Sequence, residues 1–172
     1  MKNKPIYRMV LSALFAAIIC VATFIHMPTP GGGYIHPGDC FILLAAWSVG
    51  PLYGAVAAGI GSAMTDLLMG YSVYAPATLI IKALMAVIAA LSMRLLKKKI
   101  GIYPAAFIGS VLAELFMVLG YFCYEFILLR SSALASVPSN FVQAAGGVIL
   151  SLILLVIILK NRILRAYLSE VA

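Results

Sequence analysis

Polar side chains that could bind a ligand recur inside segments that are otherwise apolar. Glu114, Tyr121 and Glu125 are separated by seven and four residues, which at 100° per residue places them within about 40° on one helix face. Asn140 and Gln143 lie one turn apart in the last apolar segment and also share a face. Lipid does not solvate such groups, so both faces must point into the protein interior or into a wet cavity.

Three more candidates lie around the loop between two earlier apolar segments. Asp66 lies near the end of one predicted helix and Tyr74 in the loop that follows. Lys82 lies about 7–8 Å along the next helix, counted at 1.5 Å per residue. Together the seven residues predict a polar pocket that opens to the outer side of a membrane. The alternative is structural, with pairs such as Asp66 and Lys82 only holding the helices together.

The composition decides which class of protein positions these side chains. Of 172 residues, 65% are hydrophobic and 10% charged, with a mean hydropathy of +1.13. A soluble domain has roughly 45–50% apolar and about 25% charged residues, so a soluble enzyme and a disordered tail are both excluded. The chain has room for about six spans of ~20 residues. With no room for a nucleotide-binding domain, energy for transport would come from a partner or an ion gradient.

The apolar segments and their breaks predict an all-α membrane protein, a six-transmembrane-helix bundle that forms one domain over residues 1–172. The predicted helices cover residues about 7–26, 39–49, 51–69, 77–96, 103–129 and 139–159. Gly50-Pro51 separates a short second helix from the third, and Asp39 is expected to cap that second helix. Loops are expected at 27–38, where His36 would be exposed, at 70–76, and at the serine-rich segment 130–138.

The charge distribution predicts the orientation. The net charge is +7, and ten of the twelve basic residues form three clusters. The clusters are Lys2, Lys4 and Arg8; Arg94, Lys97, Lys98 and Lys99; and Lys160, Arg162 and Arg165. With six spans, all three fall on one side, which the positive-inside rule makes cytoplasmic. We therefore expect a multi-pass protein of the cell membrane, N-in/C-in, that does not bind nucleic acid.

Sequence patterns for catalysis, a metal or a cofactor are not evident. Glu114 and Glu125 would be ~16 Å apart along a helix, too far for a catalytic carboxylate pair. Cys20, Cys40 and Cys123 have no zinc or disulfide spacing. We expect neither an enzyme nor a bound cofactor or metal.

Small residues at four-residue spacing predict close helix packing. In the first helix, Ala13 and Ala17 form one such face, and Ser12 and Ala16 form another. A small-residue face on an edge helix could dock a partner protein. The small residues of the third helix, which include Gly59, are expected to pack within the bundle.

Several motifs resemble the substrate-binding S components of energy-coupling-factor (ECF) vitamin transporters. They are PGGGYIHPGD at residues 30–39, GPLYGA at 50–55, GIGSA at 59–63, YAPAT at 74–78, Asp66 and Lys82. The chain looks like the riboflavin-type branch, which also includes proposed pyridoxine and thiamine-pyrimidine carriers. The six-helix plan is similar over the whole chain.

The resemblance implies a function and a set of partners. A water-soluble vitamin would bind near the outer face, and a membrane-embedded coupling subunit with two cytoplasmic ATPases would drive its import. Ala13 and Ala17 are similar to the family's docking motif for that subunit. The alternatives are a ligand-free scaffold or assembly subunit, and an intramembrane enzyme.

Overall fold

The structure is a computed structural model that describes residues 5–28 and 34–161. Its helices are α1 (Pro5–Phe24), α2 (Gly38–Val49), α3 (Pro51–Leu68), α4 (Ala75–Ile100), α5 (Ile102–Leu129) and α6 (Val137–Lys160). Strands β1 (Met27–Pro28) and β2 (Tyr34–Ile35) form a short antiparallel pair in the predicted first loop. The prediction of an all-α membrane fold is therefore confirmed apart from this pair. Some residues used in the sequence predictions lie outside the described residues: the glycine run at 31–33 and the basic residues Lys2, Lys4, Arg162 and Arg165.

The described helices alternate in direction and define two ends of a bundle. The loop end carries the β1–β2 pair, the turn before α4 and the segment before α6. The basic end carries Lys97–Lys99 at the end of α4 and Lys160 at the end of α6. The turn between α2 and α3 also lies at the basic end, since a side chain at Gly50 would lie 3.6 Å from Nη2 of Arg94.

Helix α2 forms the centre of the bundle. Eleven of its twelve residues are buried, because α1, α3, α4 and α6 all pack against it. At 1.5 Å per residue it is ~18 Å long, shorter than the ~30 Å hydrocarbon core of a bilayer. Because the other helices cover α2 on all sides, this short helix does not need to match the thickness of the lipid.

Two glycines terminate helices where the chain reverses direction. Gly50 and Gly101 have φ angles of 87° and 86°, in the region that favours glycine because a Cβ would clash. Pro51 then occupies the first turn of α3, where its missing N–H has no cost. The predicted break at Gly50-Pro51 is therefore where one helix ends and the next begins.

Helix α3 approaches three neighbours closely through small residues. A methyl group at Gly59 would lie 2.8 Å from the carbonyl oxygen of Leu79 in α4, and one at Gly61 would lie 2.5 Å from that of Ala16 in α1. Gly54 lies equally close to the backbone of Ala46 in α2. The predicted packing of this small-residue helix within the bundle is confirmed.

The outer surface consists largely of exposed Leu, Ile, Val and Phe side chains, as expected for a surface in contact with lipid. Within residues 5–28 and 34–161, four helices are long and apolar enough to cross a membrane: α1, α4, α5 and, counted from Ala133, α6. Helix α3 has 18 residues, ~27 Å at the standard rise.

Two predicted boundaries are wrong. Helix α4 continues to Ile100, so Lys97–Lys99 form its last turn instead of a linker; cations there are stabilised by the negative end of the helix dipole. The predicted loop at 130–138 is mostly helical. It contains a 3-10 helix, Arg130–Ala135, and the first turn of α6.

Candidate functional site

A buried ion pair joins α4 to α2. Nζ of Lys82 lies 2.5 Å from Oδ1 of Asp39. The two residues are 1% and 0% exposed. Lys82 lies ~10 Å from the loop end of α4 and Asp39 in the first turn of α2. The pair is therefore in the half of the bundle nearer the loop end.

Helix α6 contributes a hydrogen-bond donor to the Asp39 carboxylate. Nε2 of Gln143 donates to Oδ2 of Asp39 at 2.6 Å, and Gln143 is 4% exposed. Both oxygens of Asp39 thus have a donor, which is what a buried carboxylate requires. Three helices that are distant in sequence meet at this one side chain.

Helix α5 contributes Tyr121 to the same region. Its ring lies 5.5 Å from Nζ of Lys82, a cation–π distance. Its hydroxyl donates to Oγ1 of Thr78 at 3.0 Å, one turn from Lys82 along α4. We call Asp39, Lys82, Tyr121 and Gln143 the Lys82 network. Ammonium, amide, carboxylate and aromatic groups at one depth can bind a polar heteroaromatic molecule.

His36 lies beside this network and is buried, 8% exposed. Its Nδ1 accepts the backbone N–H of Gly38 at 3.1 Å. The pKa of His36 is lowered to about 4, mainly by burial; the Asp39 charge opposes this shift and the Lys82 charge adds to it. The imidazole is therefore neutral at pH 7, and the expectation of an exposed loop histidine is wrong: the short β1–β2 pair brings the loop back over the bundle.

A second polar group lies at the loop end itself. Glu125 accepts a hydrogen bond from the hydroxyl of Ser136, and Tyr74 is hydrogen-bonded to the same carboxylate. Burial, and then Glu125, raise the pKa of Tyr74. The Tyr74 and Tyr124 rings pack edge to face at 5.7 Å. This cluster ties the starts of α4 and α6 to the end of α5.

The structure places the remaining candidates near these two groups. Asp66 is 3% exposed and lies close enough to Tyr74 to contribute to its raised pKa. Asn140 is partly exposed at the start of α6, on the face that carries Gln143. Of the seven predicted residues, Lys82 lies against the Tyr121 ring, and Lys82 and Gln143 are joined through Asp39. Tyr74 and Glu125 form a separate pair.

Asp39 is the residue of the Lys82 network to which the sequence reasoning assigned a different contact. It does not cap α2, since its two carboxylate oxygens are bonded to Lys82 and Gln143. It is the ion-pair partner of Lys82. One sequence feature could have predicted the buried pairing of Asp39: it begins a helix whose other side chains are nearly all apolar. An acid in such a helix needs a buried donor.

Fold and site together define a multi-pass membrane protein with a polar centre between its helices. The family described as ECF-type riboflavin transporter, S component, matches residues 3–160. The chain belongs to this family, whose members are substrate-binding subunits of transporters and not enzymes. The resemblance seen in the sequence motifs is thereby confirmed.

A curated relative has a similar sequence. The chain is 36% identical over 136 residues to an uncharacterized protein of Pyrococcus woesei, described as lying in a gap 3' region. The match covers 78% of this chain and 88% of the relative.

Removing one partner of the buried ion pair is predicted to destabilise the fold strongly. Lys82→Met leaves the Asp39 carboxylate buried with Gln143 as its remaining donor, at a cost of about 3–5 kcal/mol. Adding Asp39→Leu to Lys82→Met removes the unpaired charge and should recover part of that loss. Denaturation in mixed detergent micelles measures both; equal stabilities of the two variants would contradict this account of the pair.

Acid is predicted to destabilise the protein through His36. Its folded pKa of about 4 lies below the unfolded value of 6.5, so the unfolded chain binds the proton more tightly. The contribution to stability is complete above pH 6.5 and is lost as the pH falls towards 4, up to about 3 kcal/mol.

The measurement is the free energy of unfolding between pH 7.5 and about 4.5. His36→Gln should flatten this dependence, whereas His26→Gln, at an exposed histidine, removes only the smallest contribution to the His36 shift and should change it little. Identical pH slopes in the wild type and in His36→Gln would show that His36 does not carry the effect.

Proposed function

We propose that this chain is the high-affinity substrate-binding subunit of an ATP-driven ECF importer for a water-soluble vitamin or vitamin precursor. The observation that carries the proposal is the Lys82 network, in which groups from α2, α4, α5 and α6 meet in the loop-end half of the bundle. Membership of the S-component family supplies the class of function. The substrate binds near the extracellular face.

The proposed orientation has six crossings, with both termini in the cytoplasm, in one domain over residues 1–172. The basic end of the bundle supports it, since Lys97–Lys99 and Lys160 lie at the same end and cytoplasmic ends are rich in Lys and Arg. The loop end then faces outward. Helices α2 and α3 together complete the even number of crossings.

The proposed binding residues are those predicted from the sequence: Asp66, Tyr74, Lys82, Tyr121, Glu125, Asn140 and Gln143. Asp39 joins them because it holds Lys82 and Gln143 in place. Lys82 has donors left beyond the Asp39 bond, and Gln143 retains its carbonyl oxygen. These groups suit the ring nitrogens and hydroxyls of a vitamin.

The proposed partners are a transmembrane coupling subunit and two cytoplasmic ATPases. The two small-residue faces of α1 support a docking role for one of them. Ser12 and Ala16 face the bundle, where the Ser12 hydroxyl donates to the Tyr53 carbonyl oxygen at 2.7 Å and Ala16 lies against Gly61. Ala13 and Ala17 are exposed, leaving a small, outward surface for a partner helix.

Binding is predicted to depend on Asn140. Its amide lies at the loop end of α6, and the described hydrogen bonds leave its side-chain donors and acceptors for a ligand. Losing one such bond costs about 1–3 kcal/mol, so Asn140→Ala should weaken binding ~5- to 150-fold.

The measurement is calorimetric titration of the purified chain with riboflavin, pyridoxine and pyridoxamine. Val142→Ala, an exposed position in the same turn, is the control and should bind normally. If the folded wild type binds none of these molecules, the result counts against the proposed function and favours the ligand-free scaffold.

Transport is predicted to depend on the outward face of α1. A bulky side chain there would block close approach of a coupling subunit. Ala13→Trp or Ala17→Trp should therefore abolish uptake in cells that carry the complete transporter, with binding to the solitary chain intact. Ala145→Trp, at an exposed position of α6, is the matched control. Loss of solitary binding along with uptake would place these alanines in the internal packing.

A further inference from the structure

The interior of the described part of the chain carries more acid than base. Its four described acidic residues are all buried: Asp39, Asp66, Glu114 and Glu125 are 0%, 3%, 1% and 8% exposed. The buried base among the described residues is Lys82, since His36 is neutral at pH 7. Buried charges need compensation, so this imbalance requires either bound protons or donors from outside the chain.

Glu114 differs from the other three acids in its surroundings. Asp39 has Lys82 and Gln143, Glu125 has Ser136 and Tyr74, and Asp66 is also engaged. Neither carboxylate oxygen of Glu114 has a hydrogen-bond partner within residues 5–28 and 34–161. A carboxylate that is 99% buried and receives no hydrogen bond is rare in folded proteins.

The position of Glu114 connects it to the Lys82 network. Gly147 of α6 lies against it, and a methyl group at Gly147 would collide with the Glu114 carboxylate and lie 3.2 Å from Cβ of Asp39. Glu114 thus lies beside Asp39, at the side of the network away from the loop end. It is on the same face of α5 as Tyr121, about two turns deeper.

We propose that Glu114 forms the inner end of the binding site and selects a small heteroaromatic ligand that carries an amine. A protonated amine supplies both the missing hydrogen bonds and the missing positive charge. A neutral flavin supplies no charge, and we infer that it is not the preferred substrate. This inference rests on the proposed function, because it assigns the substrate class of the same site.

The simplest competing account is that Glu114 is protonated and only fills space in the bundle. The two accounts differ in what Glu114→Gln changes. If Glu114 is protonated, a neutral glutamine of nearly equal volume leaves the choice of ligand unchanged. If Glu114 is charged and binds an amine, the same substitution removes the charge that the amine needs.

The test uses pyridoxamine and pyridoxine, which share one ring and differ in an aminomethyl against a hydroxymethyl group. The purified full chain in detergent is titrated with each, and with riboflavin. We expect pyridoxamine to bind at least ~10-fold more tightly than either neutral probe, as charged hydrogen bonds are worth more than neutral ones. In Glu114→Gln the ratio of the pyridoxamine and pyridoxine affinities should fall to about one.

The ratio is measured within each variant, so a general loss of affinity does not imitate the effect. Glu114→Asp keeps the charge but places it farther from the ligand, because the side chain is shorter. This variant should lower the ratio only in part, and it replaces Glu114→Gln in the test if that variant does not fold. The inference is overturned if riboflavin or pyridoxine binds more tightly than pyridoxamine, or if the ratio is the same in Glu114→Gln. Failure of all three probes to bind the wild type would instead overturn the proposed function.

Discussion

The rest of the structure depends on the buried ion pair between Lys82 and Asp39. Two desolvated charges stabilise a protein only when their geometry is good and their remaining polar atoms are bonded. Here the second oxygen of Asp39 is bonded by Gln143, so α4 and α6 must keep a fixed position relative to α2. The short central helix is thereby anchored near the loop end by polar contacts, while its apolar length packs on all sides.

The sequence predicts the helices well because their breaks are local. Gly50-Pro51 and Gly101 terminate helices through backbone geometry that neighbouring residues alone determine. The end of α4 and the segment after α5 are less predictable, because charge and serine content suggest solvent-exposed loops. Lysines tolerate a helix as well as a loop, and α4 therefore continues through Lys97–Lys99. After α5, a 3-10 helix leads to Ser136, which is bonded to Glu125, and to a proline in the first turn of α6.

Side-chain partners across the bundle are harder to predict than faces. Periodicity within one helix places Glu114, Tyr121 and Glu125 on a common inward face, because a helix has a fixed turn. It does not determine which helices meet. Asp39 is 43 residues from Lys82 and 104 from Gln143, so a local pattern suggests only a cap. Hydrophobic burial, which determines the helix arrangement, has no directional preference that a pattern could reveal.

Under the proposed function, the division of α1 into two faces links the site to the coupling machinery. The inward face packs on α3 through Ala16 and Gly61, with the backbones too close to admit even a methyl group. Helix α1 also packs against α2, which carries Asp39. A ligand that draws Lys82 or Gln143 away from Asp39 changes the contacts that hold α2, and α2 lies directly against α1. Only α1 itself lies between α2 and the exposed face at Ala13 and Ala17. A change in the position of α2 on ligand binding can therefore reach that face through α1 alone.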